Sequence, residues 1–482
     1  MKHKSLTATM VLLAVGIALS VWADPTALTT SNGSVTVTSN SASTLDFPIS
    51  RSGDTSYDAF VQYQTQDGTA LAGIDYTAAS GSIVIPAGTT SFATQQTFAT
   101  GSVPYSVTAA DVNGDGKPDL IVANALRNTV SVLLNTTARG AAKPSFSPPQ
   151  TFTVGSVPYS VTAADINGNG KPDLIVANAL DNTVSVLLNS TAPGAIAPSF
   201  SPQQTFATGS VPYSVTTADI DGNGKLDLIV TNNDAGVSVL INTTAPGATT
   251  PSFATRQTFA TGSFAFSATV ADVNGNNKPD LIVANYNSNT VSVLLNTTVR
   301  GATTPSFAPQ QTFAAGSCPH SVTSADINGD GKPDLILANA GSEGRNGVSV
   351  LLNTTAPGAT TPSFAPQQTF TAFSDPTSVT AADVNGDGKP DLIVANEAGA
   401  VSVLLNTTAP GAATPSFGPQ QDFAAGGGPI SVTAADINGD GKPDLIVANG
   451  NDTTVSVLLN AMYATTLSGS PAAGTIHYGV LP

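Results

Sequence analysis

Nine-residue stretches dense in side-chain oxygen recur along the chain. The first reads Asp111-Val112-Asn113-Gly114-Asp115-Gly116-Lys117-Pro118-Asp119. Asp or Asn occupies positions 1, 3, 5 and 9. Position 7 can offer its backbone carbonyl, and glycine at position 6 permits the sharp turn that folds the oxygens inward. Hard oxygen donors without His or Cys suit Ca²⁺; Mg²⁺ prefers fewer protein ligands and more water. Position 12 is Val122 where an EF-hand needs a bidentate Glu, and a strand-like run follows. The competing explanation is a metal-free Asx turn, since Asp, Asn and Gly favour turns anyway.

The candidate metal ligands fall into seven loops. The first loop offers Asp111, Asn113, Asp115, Lys117 and Asp119; the second offers Asp165, Asn167, Asn169, Lys171 and Asp173. The third rearranges its carboxylates as Asp219, Asp221 and Asp227, with Asn223 and Lys225. The fourth, Asp272, Asn274, Asn276, Lys278 and Asp280, has Asn277 where glycine is expected, and is predicted to be the weakest. The fifth is Asp326, Asn328, Asp330, Lys332 and Asp334; the sixth is Asp383, Asn385, Asp387, Lys389 and Asp391; the seventh is Asp436, Asn438, Asp440, Lys442 and Asp444. In every loop the lysine would contribute its main-chain oxygen. These loops hold 19 of the 32 acidic residues of the chain. Carboxylates clustered in one turn repel unless a cation neutralises them. With a dissociation constant near 0.1 mM and about 1 mM calcium, each ion would contribute about 1.4 kcal/mol. Up to seven ions would then rival the stability of a whole domain, roughly 10 kcal/mol, so the expected role of calcium is structural.

The elements that must hold these loops repeat with them, at steps of 53–57 residues. Each unit predicts a strand of the type SVTAAD before the loop, then DLIVAN, then TVSVLLN. A weaker fourth strand, of the type FAPQQTF, follows a turn-rich linker. The run Leu120-Ile121-Val122-Ala123 is apolar on both faces, so both must be covered. Four-stranded sheets packed face to face around an axis supply that cover, which gives an all-β fold with a seven-bladed β-propeller. A linear β-solenoid is the alternative. Residues 91–98 match the fourth strand that precedes every later unit, and nothing like it follows Asn460. They are therefore predicted to close the blade formed by 430–460.

Composition bounds the rest. The chain has 482 residues, 10% charged and 41% apolar, with formal net charge −16. A chain this acidic is a poor partner for nucleic acid or anionic membrane. Residues 1–23 read as an export signal: Lys2 and Lys4, an apolar run from Leu6 to Val21, and Val21-Trp22-Ala23 as a cleavage site. A secreted or cell-surface location follows, with no transmembrane segment after signal removal. Cys318 is the only cysteine and stands where sister units have Val103, Val157 and Val211, so it is expected to be an apolar filler.

DVNGDGKPDLIVAN with the preceding Gly101-x-x-Pro104 resembles the FG-GAP repeats, also called VCBS-type, related to the integrin alpha-subunit propeller. The resemblance covers about 91–460. It implies a seven-bladed propeller with calcium in the loops between strands one and two, and a role in adhesion or ligand recognition. The Phe-Gly pair of that family is not kept. Residues 24–90, with Val61-Gln62-Tyr63-Gln64-Thr65 and Ile83-Val84-Ile85-Pro86-Ala87-Gly88, resemble the first part of a Calx-beta domain, a small β-sandwich module. The tail, 461–482, resembles that module's closing strand around Thr465–Ser470, and is expected to pair with 24–90.

The ends of the blades opposite the acidic loops vary most, at Arg127, Asp181, Asn233, Tyr286, Glu343, Arg345, Glu397 and Asp452. Connections into strand one reach the same side with Tyr105, Tyr159, Tyr213, Phe266 and His320. This is a candidate face for an extracellular protein or glycan ligand; simple packing at blade ends is the alternative. Beyond the signal only His320 and His477 remain, and the chain has just two Glu, Glu343 and Glu397. No acid/base pair or activated nucleophile follows from spacing, so an enzyme is not expected. A binding or adhesion module is the first reading, a lyase-type polysaccharide enzyme the second, and a surface spacer the third. The NTT triplets at Asn135, Asn242, Asn296, Asn353 and Asn406 fit the glycosylation sequon, but they recur at one repeat position after strand three, so a turn role explains them at least as well.

Overall fold

The computed structural model describes residues 90–234, 236–341 and 347–460, and the backbone of six strands before them. Those six are Ser5–Val11, Val15–Trp22, Ala27–Thr30, Ile49–Ser52, Ala59–Asp67 and Ser80–Ile85. Four of them form one sheet, and Ala27–Thr30 pairs with Ile49–Ser52. The first two strands lie in the segment read as an export signal. The side chains that carry the Calx-beta likeness, and the tail 461–482 with its expected pairing, lie outside the described residues. The chain divides into two compact units, of which the larger is Phe92–Val384 with Lys389–Asn460.

That larger unit is a seven-bladed propeller, with no helix among the described residues. In the first blade the strands are Pro104–Ala110, Asp119–Asn124, Thr129–Leu133 and Gln150–Thr153, in sequential antiparallel order. Five more blades repeat this meander. The seventh takes Pro429–Ala435, Asp444–Asn449 and Thr454–Leu458 from the end of the ring and Gln96–Ala99 from its start. The closing register is Thr454↔Ala99, Val455↔Phe98, Ser456↔Thr97 and Val457↔Gln96, with a further bridge Phe92↔Asn460.

The second strand of every blade is buried along its whole length. Its side chains alternate between two inter-blade cores. Ile121 and Ala123 pack with Val161, Leu174 and Val176 of the second blade, while Leu120 and Val122 pack with Ile437, Ile446 and Val455 of the seventh. Near the rim, the fourth-strand phenylalanine meets a linker phenylalanine edge-on, as in Phe98–Phe146 at 4.8 Å. Seven such pairs ring the propeller, each adding about 0.5–1.5 kcal/mol beyond the area it buries. The glycine of Gly101-x-x-Pro104 is required by packing: a Cβ there would stand 2.5 Å from Cγ of Asn124.

Closure by 91–98 yields a direct test. Deleting this segment exposes the edge of Thr454–Leu458 and removes Phe92 and Phe98 from the cores they fill. The melting temperature should fall by at least about 5 °C. Leu126→Ser, on a side chain 69% exposed, should leave it within about 1 °C. Equal melting of the deletion and the parent protein, followed by calorimetry, would exclude the pairing.

Candidate metal loops and the channel mouth

Each acidic loop joins the first strand of a blade to the second, and its last aspartate is the first residue of that second strand. In the first loop Gly114 and Gly116 adopt φ 68° and 82°, a conformation open to glycine at little cost. This turns the amides of positions 5 and 6 onto position 1: Asp115 and Gly116 donate to Asp111 at 3.0 and 2.8 Å. In the fourth loop Asn277 takes the glycine's place at φ 61° and keeps the same bond, to Asp272 at 2.6 Å.

The position-9 aspartate is fully buried in all seven loops. One carboxylate oxygen of Asp119 accepts the amide of Val112 at 2.8 Å, and the other accepts that of Asn135 at 2.7 Å. Asp173, Asp227, Asp280, Asp334, Asp391 and Asp444 repeat the pair. This carboxylate therefore ties the loop to the chain that leaves strand three. Burial pushes it up, to about 6 in Asp119, Asp173, Asp280 and Asp334 and to about 7 in Asp227 and Asp444, against the lowering effect of the two donated amides.

Position 3 has a role that spacing did not reveal. Asn113 is buried, its Nδ2 donates to the Ala195 carbonyl at 3.0 Å, and its own carbonyl accepts the Gly194 amide at 2.7 Å. Both partners lie in the linker of the next blade. Asn167, Asn274, Asn328 and Asn438 do the same, the last onto Ala141 of the first blade across the closure. The loop is thus also a latch between blades. In the third loop Asp221 cannot donate; there Gly301 donates to the Asp221 carbonyl at 2.7 Å and Arg300 Nε to that of Gly222 at 3.0 Å.

The asparagines of the NTT triplets are also inter-blade pins. Asn135, Asn242, Asn296, Asn353 and Asn406 are buried, and Nδ2 of Asn242 donates to the Ile166 carbonyl of the preceding blade at 2.9 Å. The turn explanation is the one the structure supports, since the acceptor nitrogen of a sequon is engaged inside the folded ring.

Among the described residues one loop brings three carboxylates together: oxygens of Asp219, Asp221 and Asp227 lie within 4.8 Å of one another. Burial raises the Asp221 carboxyl above its ordinary range. In the second and fourth loops, the buried Oδ1 atoms of Asn167 and Asn274 lack a hydrogen-bond partner. An all-oxygen donor set with clustered carboxylates and orphaned amide oxygens fits a hard divalent cation. Of the lysines, Lys171, Lys225 and Lys278 are seen turning their ammonium groups onto linker carbonyls at 2.6–2.8 Å, which leaves only main-chain oxygen for an ion.

At the opposite end the first strand opens with a β-bulge, between Pro104 and Ser106 in the first blade and at the same place in every other. The bulged residues are Tyr105, Tyr159, Tyr213, Phe266, His320, Thr377 and Ile430, and all seven line the mouth of the central channel. The residue before each strand sits at φ 48–63°, among them Val103, Val157, Val211 and Cys318. A β-branched residue in that region is strained. Hydrogen bonds impose the conformation: Val157, Val211 and Cys318 donate to Asn128, Asn182 and Asn289 at 2.8–3.0 Å. Below the mouth, serine hydroxyls such as Ser106 accept the amide of the next blade's first strand, here Val161 at 3.2 Å. Of the variable positions, Arg127, Asp181, Asn233, Tyr286, Glu397 and Asp452 lie at this end; Glu343 and Arg345 lie outside the described residues.

The buried aspartates set a pH dependence for calcium-free protein. Their folded values lie above the unfolded 3.8, so the folded state holds more protons between about pH 4 and 7. The contribution of these groups to stability should be full near pH 4 and be lost as pH rises from about 4 to 7. A divalent cation held by these loops would flatten or reverse that slope, because it would favour the ionised form. Urea midpoints measured at intervals from pH 4.5 to 8, with and without calcium, check both signs.

No curated protein sequence matches the chain. Solved structures with similar topology are distant. BBS1N in complex with ARL6DN is 11% identical, with TM-score 0.48, over 77% of this chain and 97% of that one. A Bacteroides fragilis protein provisionally named a 6-phosphogluconolactonase is 14% identical, TM-score 0.48, over 77% and 92%. Saccharomyces cerevisiae Sqt1 is 10% identical, TM-score 0.46, over 76% and 98%. The sequence model of the FG-GAP-like repeat, by contrast, matches residues 52–122, 111–176, 165–230, 219–283, 272–337, 326–394 and 383–447. Seven consecutive matches, each ending in a blade's second strand, place this chain in the FG-GAP-like repeat family.

Proposed function

We propose that the chain is an extracellular binding or adhesion module, carried by a propeller whose acidic loops hold structural calcium. One observation carries the reading: near-identical units differ chiefly at one end of the ring. There the turns between strands two and three present Leu126 and Arg127, Leu180 and Asp181, Tyr286, Glu397 and Asp452 around the aromatic mouth. A rigid scaffold that repeats everywhere but at one face is built for recognition. The leader-like first 23 residues support export, and no helix among the described residues is long and apolar enough to cross a membrane.

Calcium would be held by positions 1, 3, 5 and 9 with the carbonyl of position 7, and most completely by Asp219, Asp221 and Asp227. When bound, the ion supplies positive charge that offsets carboxylate repulsion and fixes a loop already latched to the next blade. Binding is favoured over catalysis because the mouth encloses only about 120 Å³ and its one imidazole, His320, is stacked among rings and pushed down to about 4 by burial.

Chelation should lower the melting temperature by about 5 °C or more, and Asp221→Asn should weaken the third site alone. A screen of glycans and matrix proteins should find a partner retained in calcium and lost in chelator. Arg127→Ala or Tyr286→Ala should weaken capture, while Ile196→Ser, in an outer linker and 94% exposed, should not. Release of unsaturated sugar ends from a polysaccharide would favour the lyase reading instead.

A further inference from the structure

Nine asparagines among the described residues are followed by glycine. In such a pair no Cβ hinders the glycine nitrogen from attacking the side-chain carbonyl carbon before it. The fold treats the nine differently. Asn113, Asn167, Asn274, Asn328, Asn385 and Asn438, at loop position 3, are buried, as is Asn449 at the end of the last blade's second strand. Five of those six loop asparagines donate Nδ2 to the next blade's linker, Asn167 to the Ala248 carbonyl at 2.8 Å. Asn449 donates its own to Ser456 at 2.9 Å. Of the nine only Asn169 and Asn223, at position 5 of the second and third loops, are exposed. Asn223 still has its Nδ2 held, by the Asp221 carboxylate at 2.9 Å. No bond among the described residues holds Nδ2 of Asn169.

The other parts of a reaction are in place at Asn169. Its Oδ1 accepts the amide of Lys171 at 2.9 Å, which polarises the side-chain carbonyl and closes a turn around the Gly170 nitrogen. That nitrogen donates to Oδ2 of Asp165 at 2.7 Å, a carboxylate placed to take its proton. Gly170 sits at φ 80°, and nothing stands within 4 Å of where a Cβ would be, so the turn has room to rearrange.

We infer that Asn169 is a site of spontaneous deamidation, singled out by the fold from the other asparagine–glycine pairs. The Gly170 nitrogen gives its proton to the Asp165 carboxylate as its electron pair forms a bond to Cγ of Asn169. The Cγ–Nδ2 bond then breaks, Nδ2 leaves with that proton as ammonia, and a succinimide ring remains. Water opens the ring: addition at Cγ leaves an aspartate at position 169, and addition at the main-chain carbonyl leaves an isoaspartate. The first product carries a carboxylate at position 5, as Asp115 does, so the second loop then has the acidic set of the first. Water is the only co-reactant, and the step needs no ion in the loop.

Peptide mapping by mass spectrometry tests this on the full chain, kept folded at neutral pH in chelator and sampled over time. Asn167 and Asn169 stand two residues apart and both precede glycine, so one serves as the control for the other. In the folded chain Asn169 should turn to acid at least about tenfold faster than Asn167, whose latch must break first, and faster than Asn223. In urea, where no fold selects, Asn167 and Asn169 should react within about threefold of each other. Gly170→Ala, verified as folded by circular dichroism, should slow conversion at 169 at least about tenfold, because its Cβ crowds the attacking nitrogen. The inference is overturned by an Asn169 that reacts no faster than Asn167 or Asn223 in the folded chain. It is equally overturned by a folded chain intact at 169 while the unfolded chain converts, or by a Gly170→Ala chain that reacts as fast as the parent.

Discussion

A strand that is apolar on both faces must have both covered, and with no helix among the described residues only other sheets can cover it. The second strand of each blade is such a strand, and the architecture of the ring follows from it. Leu120 and Val122 need one neighbour, Ile121 and Ala123 need another, and the requirement passes from blade to blade until it returns to the start. A ring satisfies this without a capping sheet, whereas a linear stack would leave two apolar faces in water. Apolar burial alone is non-directional, however, and would tolerate blades sliding against each other.

Directional contacts fix the register. Each loop offers a position-3 asparagine to the next blade, each linker returns an asparagine to the loop before it, and the position-9 carboxylate joins the two within one blade. The oxygen-rich segments therefore have a structural role apart from any metal they would hold. Their backbone amides already satisfy most of the carboxylate oxygens, and an ion would add to a network that exists without it. Asp221 lacks the donor of its sister asparagines, and an arginine of the adjoining linker, Arg300, donates to the third loop just as Arg139 donates to the seventh, where Asn438 is kept.

Much of this was legible from residue order. The repeat, the three strong strands, the acidic loop and the closing segment all announce themselves because near-identical units share a phase, and a shared phase forces a shared place. The inter-blade latch was hidden, since an asparagine in a turn looks the same whether its amide meets water or the carbonyl of Ala195, eighty-two residues away. The NTT asparagines show the same ambiguity: a surface motif by pattern, a buried pin by position. The bulge after Pro104 was equally silent. Nothing in Pro-Tyr-Ser-Val distinguishes a regular strand from one that swings Tyr105 toward the axis, and that swing alone creates the collar.

The strand that completes the last blade is the first part of the ring to be synthesised. Gln96–Ala99 emerges well before Thr454–Leu458, its partner, and at about 5–20 residues per second the interval is roughly twenty seconds to a minute. Throughout that time an early strand has no mate and the growing array carries an uncovered sheet face at its leading end. A ribosome that stops one unit short releases an open array that cannot shut.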